Sequence, residues 1–330
     1  PGQWAALLSV ARAEALLGTL AHRLGFDPAV DGADGDPAPP ANMPPAIAAL
    51  LRAAAHSAAH AQRQALWEGA MCARALEPAG VPFVLLKGTA YAAAGSAAAP
   101  GRQIGDLDIM VDHAHLAQAE AALIEAGWEW VKADDYDQAY YRDHMHELPP
   151  LIHRDRDRMI DVHHTILPLT ARIRPNAAWM MRDAVVVPGG WRILCPADAL
   201  CHAAAHMVAD GDLAGGLRNL WDIDRMLRQF SAADAGFWHG LTLRAQGHGL
   251  WGAVHLAARL AHGVYGTPLP PAWAIQGNAD ALFVARLFAR DDWGRETRRA
   301  LRLAFYIRSH WMRMPPAMLA RHLWTKWRKG

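Results

Sequence analysis

Gly105-Asp106-Leu107-Asp108-Ile109-Met110-Val111 is the stretch whose reading decides the fold. On a strand, successive side chains alternate between faces, so Asp106 and Asp108 share one side while Leu107 and Ile109 point into the core. Two carboxylates on one face of a buried strand repel each other and lose hydration. That costs on the order of several kcal/mol unless a cation lies between them. Magnesium suits such a place, because it prefers oxygen ligands and keeps positions for water and substrate phosphates. An exposed edge strand carrying two surface acids is the plainer alternative.

Downstream, Met159-Ile160-Asp161-Val162-His163-His164 has the same grammar, with Asp161 and His163 on one face and Ile160 and Val162 on the other. If this strand lies beside the first, three acids converge on one or two metal ions. One ion would then hold a nucleoside triphosphate and the other would lower the pKa of an attacking hydroxyl. Asp155 and Asp157 compete for the third position, but the charged turn Arg154–Arg158 solvates them, so Asp161 is preferred. His163 would contact phosphate, orient Asp161, or simply be a hydrogen-bonded core histidine.

Upstream, the apolar run Val81–Leu86 reads as a strand buried on both faces, and Lys87-Gly88-Thr89 stands where it gives way to a short helix through Ala98. A glycine at such a junction lets backbone N–H groups approach phosphate oxygens, which a helix N-terminus favours. Thr89 can donate a hydrogen bond to phosphate and Lys87 can neutralise one.

In the second half, His202 and His206 lie four apart on one helical face. A zinc-protease reading fails because Ala203, not Glu, follows the first histidine. The pair is expected to bond Asp222 or Asp224 across a helix contact, or to line an acceptor pocket. Arg218 is a further candidate for phosphate, its fork suiting bidentate contact.

The order apolar strand, Lys87-Gly88-Thr89, short helix, Arg102, then Gly105 to Val111 resembles the polymerase-β-like nucleotidyltransferase superfamily. More narrowly, Leu86-Lys87-Gly88, the Arg102…Gly105-Asp106-Leu107-Asp108 segment and Asp161-Val162-His163 are similar to an uncharacterised nucleotidyltransferase family within it. His202 to His206 and Leu217-Arg218-Asn219-Leu220-Trp221-Asp222-Ile223 look like that family's His-rich and Leu-x-x-Leu-x-Asp helices, so the likeness spans about residues 75 to 230. Thr89 stands where the superfamily usually has Ser or Gly, and keeps the hydroxyl.

The resemblance implies an α+β fold: a mixed β-sheet core flanked by helices, with an α-helical C-terminal domain. It implies transfer of a nucleoside monophosphate from an NTP such as ATP to a hydroxyl or similar acceptor on a small molecule or peptide. Asp106, Asp108 and Asp161 would hold two ions, magnesium or manganese in its place. Lys87, Gly88, Thr89, Arg102 and His163 would bind nucleotide, and His202, His206, Arg218 and Asp222 would form an acceptor pocket or helix contact. A toxin-like enzyme acting on RNA or protein and an inactive nucleotide-binding member are the alternatives.

With 330 residues, 52% hydrophobic and 20% charged, the chain can bury a sizeable core and suits more than one unit. The expected division is N-terminal helices over 1–74 with a Gly/Pro/Asp-rich loop at 27–45, the core over 75–194, and helices with a basic tail over 195–330. Helices are expected over 4–24, 46–79, 115–126, 200–208, 217–230, 235–246, 251–265 and 280–313. Strands are expected over 81–86, 104–111, 128–132, 146–153, 159–166, 185–187 and 191–194. The three cysteines, Cys72, Cys195 and Cys201, have no paired spacing, which points to a reducing, cytoplasmic setting. No secretory leader is read at Pro1, and no apolar run is long enough for a membrane span.

From Arg295 onward, ten Arg/Lys stand against one acid, Glu296. A tail of this kind either solvates one helix face or meets a large anion. Reversing Arg321, Lys326 and Arg328 together should leave NTP affinity almost intact by calorimetric titration. A loss as large as that from Lys87→Ala would show that the tail folds over the nucleotide.

Overall fold

The computed structural model describes residues 2–28, 42–131, 135–320 and 324. Most of the 27–45 loop, Lys132 of the third expected strand, and Arg321, Lys326, Trp327 and Arg328 of the tail lie outside the described residues.

Helices α1 (Gly2–Ala13), α2 (Leu17–Arg23) and α3 (Pro45–Leu76) lead into β1 (Phe83–Leu85), α4 (Lys87–Ala93) and β2 (Leu107–Val111). Then follow α5 (Leu116–Glu125), β3 (Trp128–Trp130), α6 (Asp135–His144), β4 (Leu151–His153), β5 (Met159–His163), α7 (Ala177–Arg182), β6 (Val185–Val186) and β7 (Arg192–Ile193). The remainder is helical: α8 (Pro196–Ala204), which runs into a π-helical turn over Ala205–Asp210, then α9 (Gly216–Ala233), α10 (Phe237–Gly247), α11 (Trp251–Tyr265), α12 (Asp280–Leu287) and α13 (Arg299–Arg313). This is a mixed α+β molecule, and no helix among the described residues is long and apolar enough to cross a membrane.

The seven strands form one sheet in the order β3-β4-β5-β2-β1-β7-β6. The pairs β2–β5 and β1–β7 are parallel and the rest antiparallel. Alternation along β2 sorts the two faces. Leu107, Ile109 and Val111 join Ile160 and Val162 of β5 in a cluster with Cys72 and Leu76 of α3 and Leu123 of α5. Met110, with Val84 and Leu86, belongs to the opposite cluster, which continues through Leu200 of α8, Leu220 and Ile223 of α9, and α11. Asp108 shares Met110's side, so the acid-bearing face is roofed by the helical half.

Several elements depart from the sequence reading for identifiable reasons. The 4–24 helix breaks where Ala15 takes φ +53°. The strand expected over 146–153 is reduced to β4, because Pro149 and Pro150 offer no N–H to a ladder, and α6, which the sequence reading did not assign, precedes it. Helix α4 ends at Ala93, ahead of Gly95 at φ +58°. The long 280–313 helix is two, with Arg298 left-handed at the start of the second.

One close approach fixes how the N-terminal helices meet the core. Gly101 adopts φ +69°, and a Cβ there would lie 2.2 Å from the Gly18 carbonyl oxygen of α2. From α3, the Gln62 amide donates to the Ala99 carbonyl at 2.7 Å and to that of Arg102 at 3.1 Å. The loop that carries Arg102 is thus clamped from two helices. Gly101→Ala combines a backbone clash with left-handed strain, so a loss of about 1–3 kcal/mol or more is expected, read as a lower urea midpoint at unchanged slope.

Candidate active site

In the parallel pairing of β2 with β5, Asp108 stands directly opposite Asp161 and Met110 opposite His163. Asp108 is almost fully buried, at 4% exposure. Its Oδ1 accepts from the Lys87 ammonium at 2.5 Å and lies 3.0 Å from His163 Nε2. Lys87 reaches it from the junction of β1 and α4, where the Leu86 N–H donates to the Asp108 carbonyl at 2.9 Å. At that junction Lys87 adopts φ +47°, a conformation a non-glycine residue holds only when its surroundings impose it. Asp106 precedes β2 and is exposed.

Ligand atoms of Asp108, Asp161 and His163 lie within 4.8 Å of one another, while Asp106 is outside that group. Asp155 and Asp157, the competing acids, lie on the β4–β5 turn, both exposed.

The sequence reading missed Glu147. It forms an antiparallel bridge with His163, and its Oε2 lies 3.4 Å from His163 Nδ1 and 3.7 Å from His146 Nε2. The available signal was the pair His146-Glu147 just ahead of an apolar segment, hidden by the strand assigned there.

Four carboxylates therefore crowd around one lysine, and their protonation reflects it. Burial, then Glu147 and Asp108, push Asp161 up to about 7. Glu147 is raised by burial against the pull of His163 and Lys87, and Asp106 by desolvation and then Asp108. Burial would also raise Asp108, but Lys87 and His163 outweigh it and hold Asp108 well below the usual carboxylate range. Burial would lower Lys87, yet Asp108, with Asp106 and Asp161 behind it, raises it. Surplus negative charge on an oxygen-donor set is the environment that fits a hard divalent cation, so Asp106, Asp108 and Asp161 fit magnesium by donor chemistry.

The remaining candidates sort into neighbours of this centre and supports behind it. Lys87, Tyr91, Arg102, His202, His206, Asn219 and Asp222 line one small pocket. Arg102 pairs there with Asp222, and its buried Nε has no hydrogen-bond partner among the described residues. Gly88 makes room for that guanidinium, since a Cβ would lie 2.9 Å from its Nε. Thr89 is buried to 1%, with a hydroxyl that has no hydrogen-bond partner among the described residues. Arg218 is taken up by Asp222, by the Thr19 hydroxyl and by the Ala98 carbonyl at 3.2 Å, so the free fork inferred for phosphate is engaged within the protein.

The bond expected from His202 or His206 to Asp222 or Asp224 does not form. Asp222 is held by Arg102 and Arg218, and Asp224 by Arg225, Arg228 and Thr267. Both histidines are lowered by burial and then by Lys87, so they face the site as neutral rings. A larger, chiefly apolar pocket of about 190 Å³ shares Lys87, Tyr91 and His202 with the first and extends past Leu86, Ile193, Met226 and Phe230.

The Asp161 shift sets a pH dependence. In metal-free protein the folded state holds this proton up to about pH 7, whereas the unfolded chain releases it near 4. Folding therefore becomes less favourable as pH rises between these values. Asp161→Asn removes the penalty, so the chelated variant should melt above wild type at pH 8, with the gap narrowing towards pH 5. Millimolar magnesium at pH 8 should raise the wild-type melting temperature more than the variant's. Equal melting of the two chelated proteins at pH 8 would contradict the crowding.

No curated protein and no solved structure matches the chain. The sequence pattern of one family, described as uncharacterised nucleotidyltransferase, matches residues 1–266, well beyond the 75–230 over which motifs are recognisable by eye. The chain belongs to this family of uncharacterised nucleotidyltransferases.

Proposed function

We propose that this nucleotidyltransferase moves a nucleoside monophosphate from an NTP to a hydroxyl, or similar nucleophile, on a small molecule or peptide, with magnesium or manganese. The observation that carries the reading is Asp108 level with Asp161 on adjacent parallel strands, beneath a lysine from a strand-to-helix turn. Asp106, Asp108 and Asp161 would hold two ions, which supply charge for the triphosphate and acidity for the acceptor.

The chain's own residues do the rest. Lys87, which holds Asp108, would offer its ammonium to phosphate. The Gly88 backbone and the Thr89 hydroxyl belong to the same turn, Arg102 lies against Gly88, and His163 would act on the nucleotide through the Asp108 it holds. The acceptor oxygen attacks the α-phosphorus, the bond to the bridging oxygen breaks and pyrophosphate leaves. Asp161 is the base assigned to the acceptor's proton. His202 and His206 face the acceptor, while Arg218 positions Asp222 and, through it, Arg102. The adjoining apolar pocket supports an acceptor with an apolar body. The helices after residue 194 serve as the wall of that pocket.

Transfer of label from each NTP, followed in magnesium with cell extract as acceptor source, tests this. Asp106→Asn and Asp108→Asn should each abolish transfer while the fold persists. Lys87→Ala should weaken NTP binding by about 1–3 kcal/mol, the worth of a charged hydrogen bond. Unchanged turnover in either aspartate variant would overturn the assignment.

A further inference from the structure

His163 presents different chemistry on its two nitrogens. Nε2 lies 3.0 Å from the Asp108 carboxylate, an acceptor, so it carries the hydrogen. In the neutral ring Nδ1 is then a lone pair. It is buried, it makes no hydrogen bond among the described residues, and it faces Glu147 Oε2 at 3.4 Å. His146 Nε2 approaches the same oxygen at 3.7 Å, and Nδ1 of that ring also has no hydrogen-bond partner. Two imidazole nitrogens and a carboxylate oxygen therefore converge, all within 4.8 Å of one another, and of these His163 Nδ1 has no hydrogen-bond partner among the described residues.

We propose that His146, Glu147 and His163 form a binding site for a divalent transition-metal ion of the zinc class, distinct from the carboxylate site on the other side of His163.

Spacing supports this. Zinc bonds to nitrogen and oxygen of about 2.0–2.1 Å in a tetrahedron place neighbouring ligand atoms about 3.3–3.4 Å apart. The 3.4 and 3.7 Å separations are close to that. Two imidazoles with one carboxylate favour zinc, cobalt, nickel or iron over magnesium, which takes oxygen donors. The Asp108–His163 contact supplies the outer carboxylate that fixes a metal-binding histidine's tautomer and orientation.

The backbone holds the three ligands in place. Glu147 is bridged to His163, and the His164 N–H donates to the His146 carbonyl at 2.9 Å. The rings of His146 and His163 lie 5.2 Å apart at a 30° tilt, side by side across that bridge. An ion there would pin His163 and thereby set how firmly Asp108 is held beneath Lys87.

The test uses chelated full-length protein with cobalt(II) as the probe, in excess magnesium to fill the oxygen-donor site. The expected result is one equivalent of tightly bound cobalt with visible d–d absorption, displaced by zinc. Glu147→Gln and His146→Ala should each weaken it at least tenfold, and Asp161→Asn should weaken it far less than either. His146→Cys guards against a mere folding defect, because it should restore binding and add a sulfur-to-cobalt charge-transfer band. Cobalt affinity unchanged in Glu147→Gln and His146→Ala would overturn the proposal. So would its loss in Asp161→Asn, which would place the ion among the aspartates. Nucleotide transfer is not a readout here, so failure of this site and failure of the transferase reading are separable.

Discussion

Asp108 and Asp161 are held level by the parallel ladder of β2 and β5, and neither carboxylate can move away from the other without breaking that ladder. Leu107, Ile109, Ile160 and Val162 on the reverse face are locked into the cluster under α3 and α5. A one-residue slip of either strand would carry its acids into that core and its apolar residues onto the site. The hydrophobic face thus enforces an electrostatic conflict on the opposite face, and the molecule's answer is cationic. Lys87 meets Asp108 in a backbone conformation that needs outside support, and its left-handed φ is the local cost of bringing an ammonium to the most buried of the site's carboxylates.

The supports behind the site come from the N-terminal helices, which the family match includes. The Arg102–Asp222–Arg218 chain ends on the Thr19 hydroxyl of α2. Glu14, buried between α1 and α2, accepts from the Leu217 N–H of α9 at 3.1 Å and from Arg290 beyond α12. The N-terminal helices therefore brace both the loop that carries Arg102 and the helix that carries Asp222. Sequence motifs recognise chemistry, so they found residues 75–230; bracing by single buried polar contacts leaves no motif.

The same division governs what was legible in the sequence. Alternation in Asp106 to Val111 and in Ile160 to His163 gave the faces, because burial of one side of a strand writes a period of two. Which strands are neighbours is not written there: Asp161 next to Asp108 is a matter of register between segments some fifty residues apart. Glu147 was lost because Pro149 and Pro150 end its pairing early, leaving a single bridge where a strand was expected. Arg218 looked like a phosphate ligand because its residue type suits one. Its burial against Asp222 and Thr19 depends on a helix contact that no local pattern encodes.

His163 joins these strands of argument. Its ring lies between Asp108 and Glu147, two carboxylates whose protons are pulled in opposite directions: Asp108 is stabilised as an anion by Lys87, while Glu147 is raised by burial. A neutral imidazole can donate to only one of them, and the shorter contact goes to Asp108. The unmet Nδ1 beside Glu147 on the far side is therefore a consequence of the choice made on the near side. Strengthening the grip on Asp108 sharpens the need for a cation beside Glu147, and satisfying Glu147 in turn orients the ring that grips Asp108. The carboxylate centre and the imidazole cluster are thus coupled through one side chain, and a change in charge on either is felt by the other within a few ångströms.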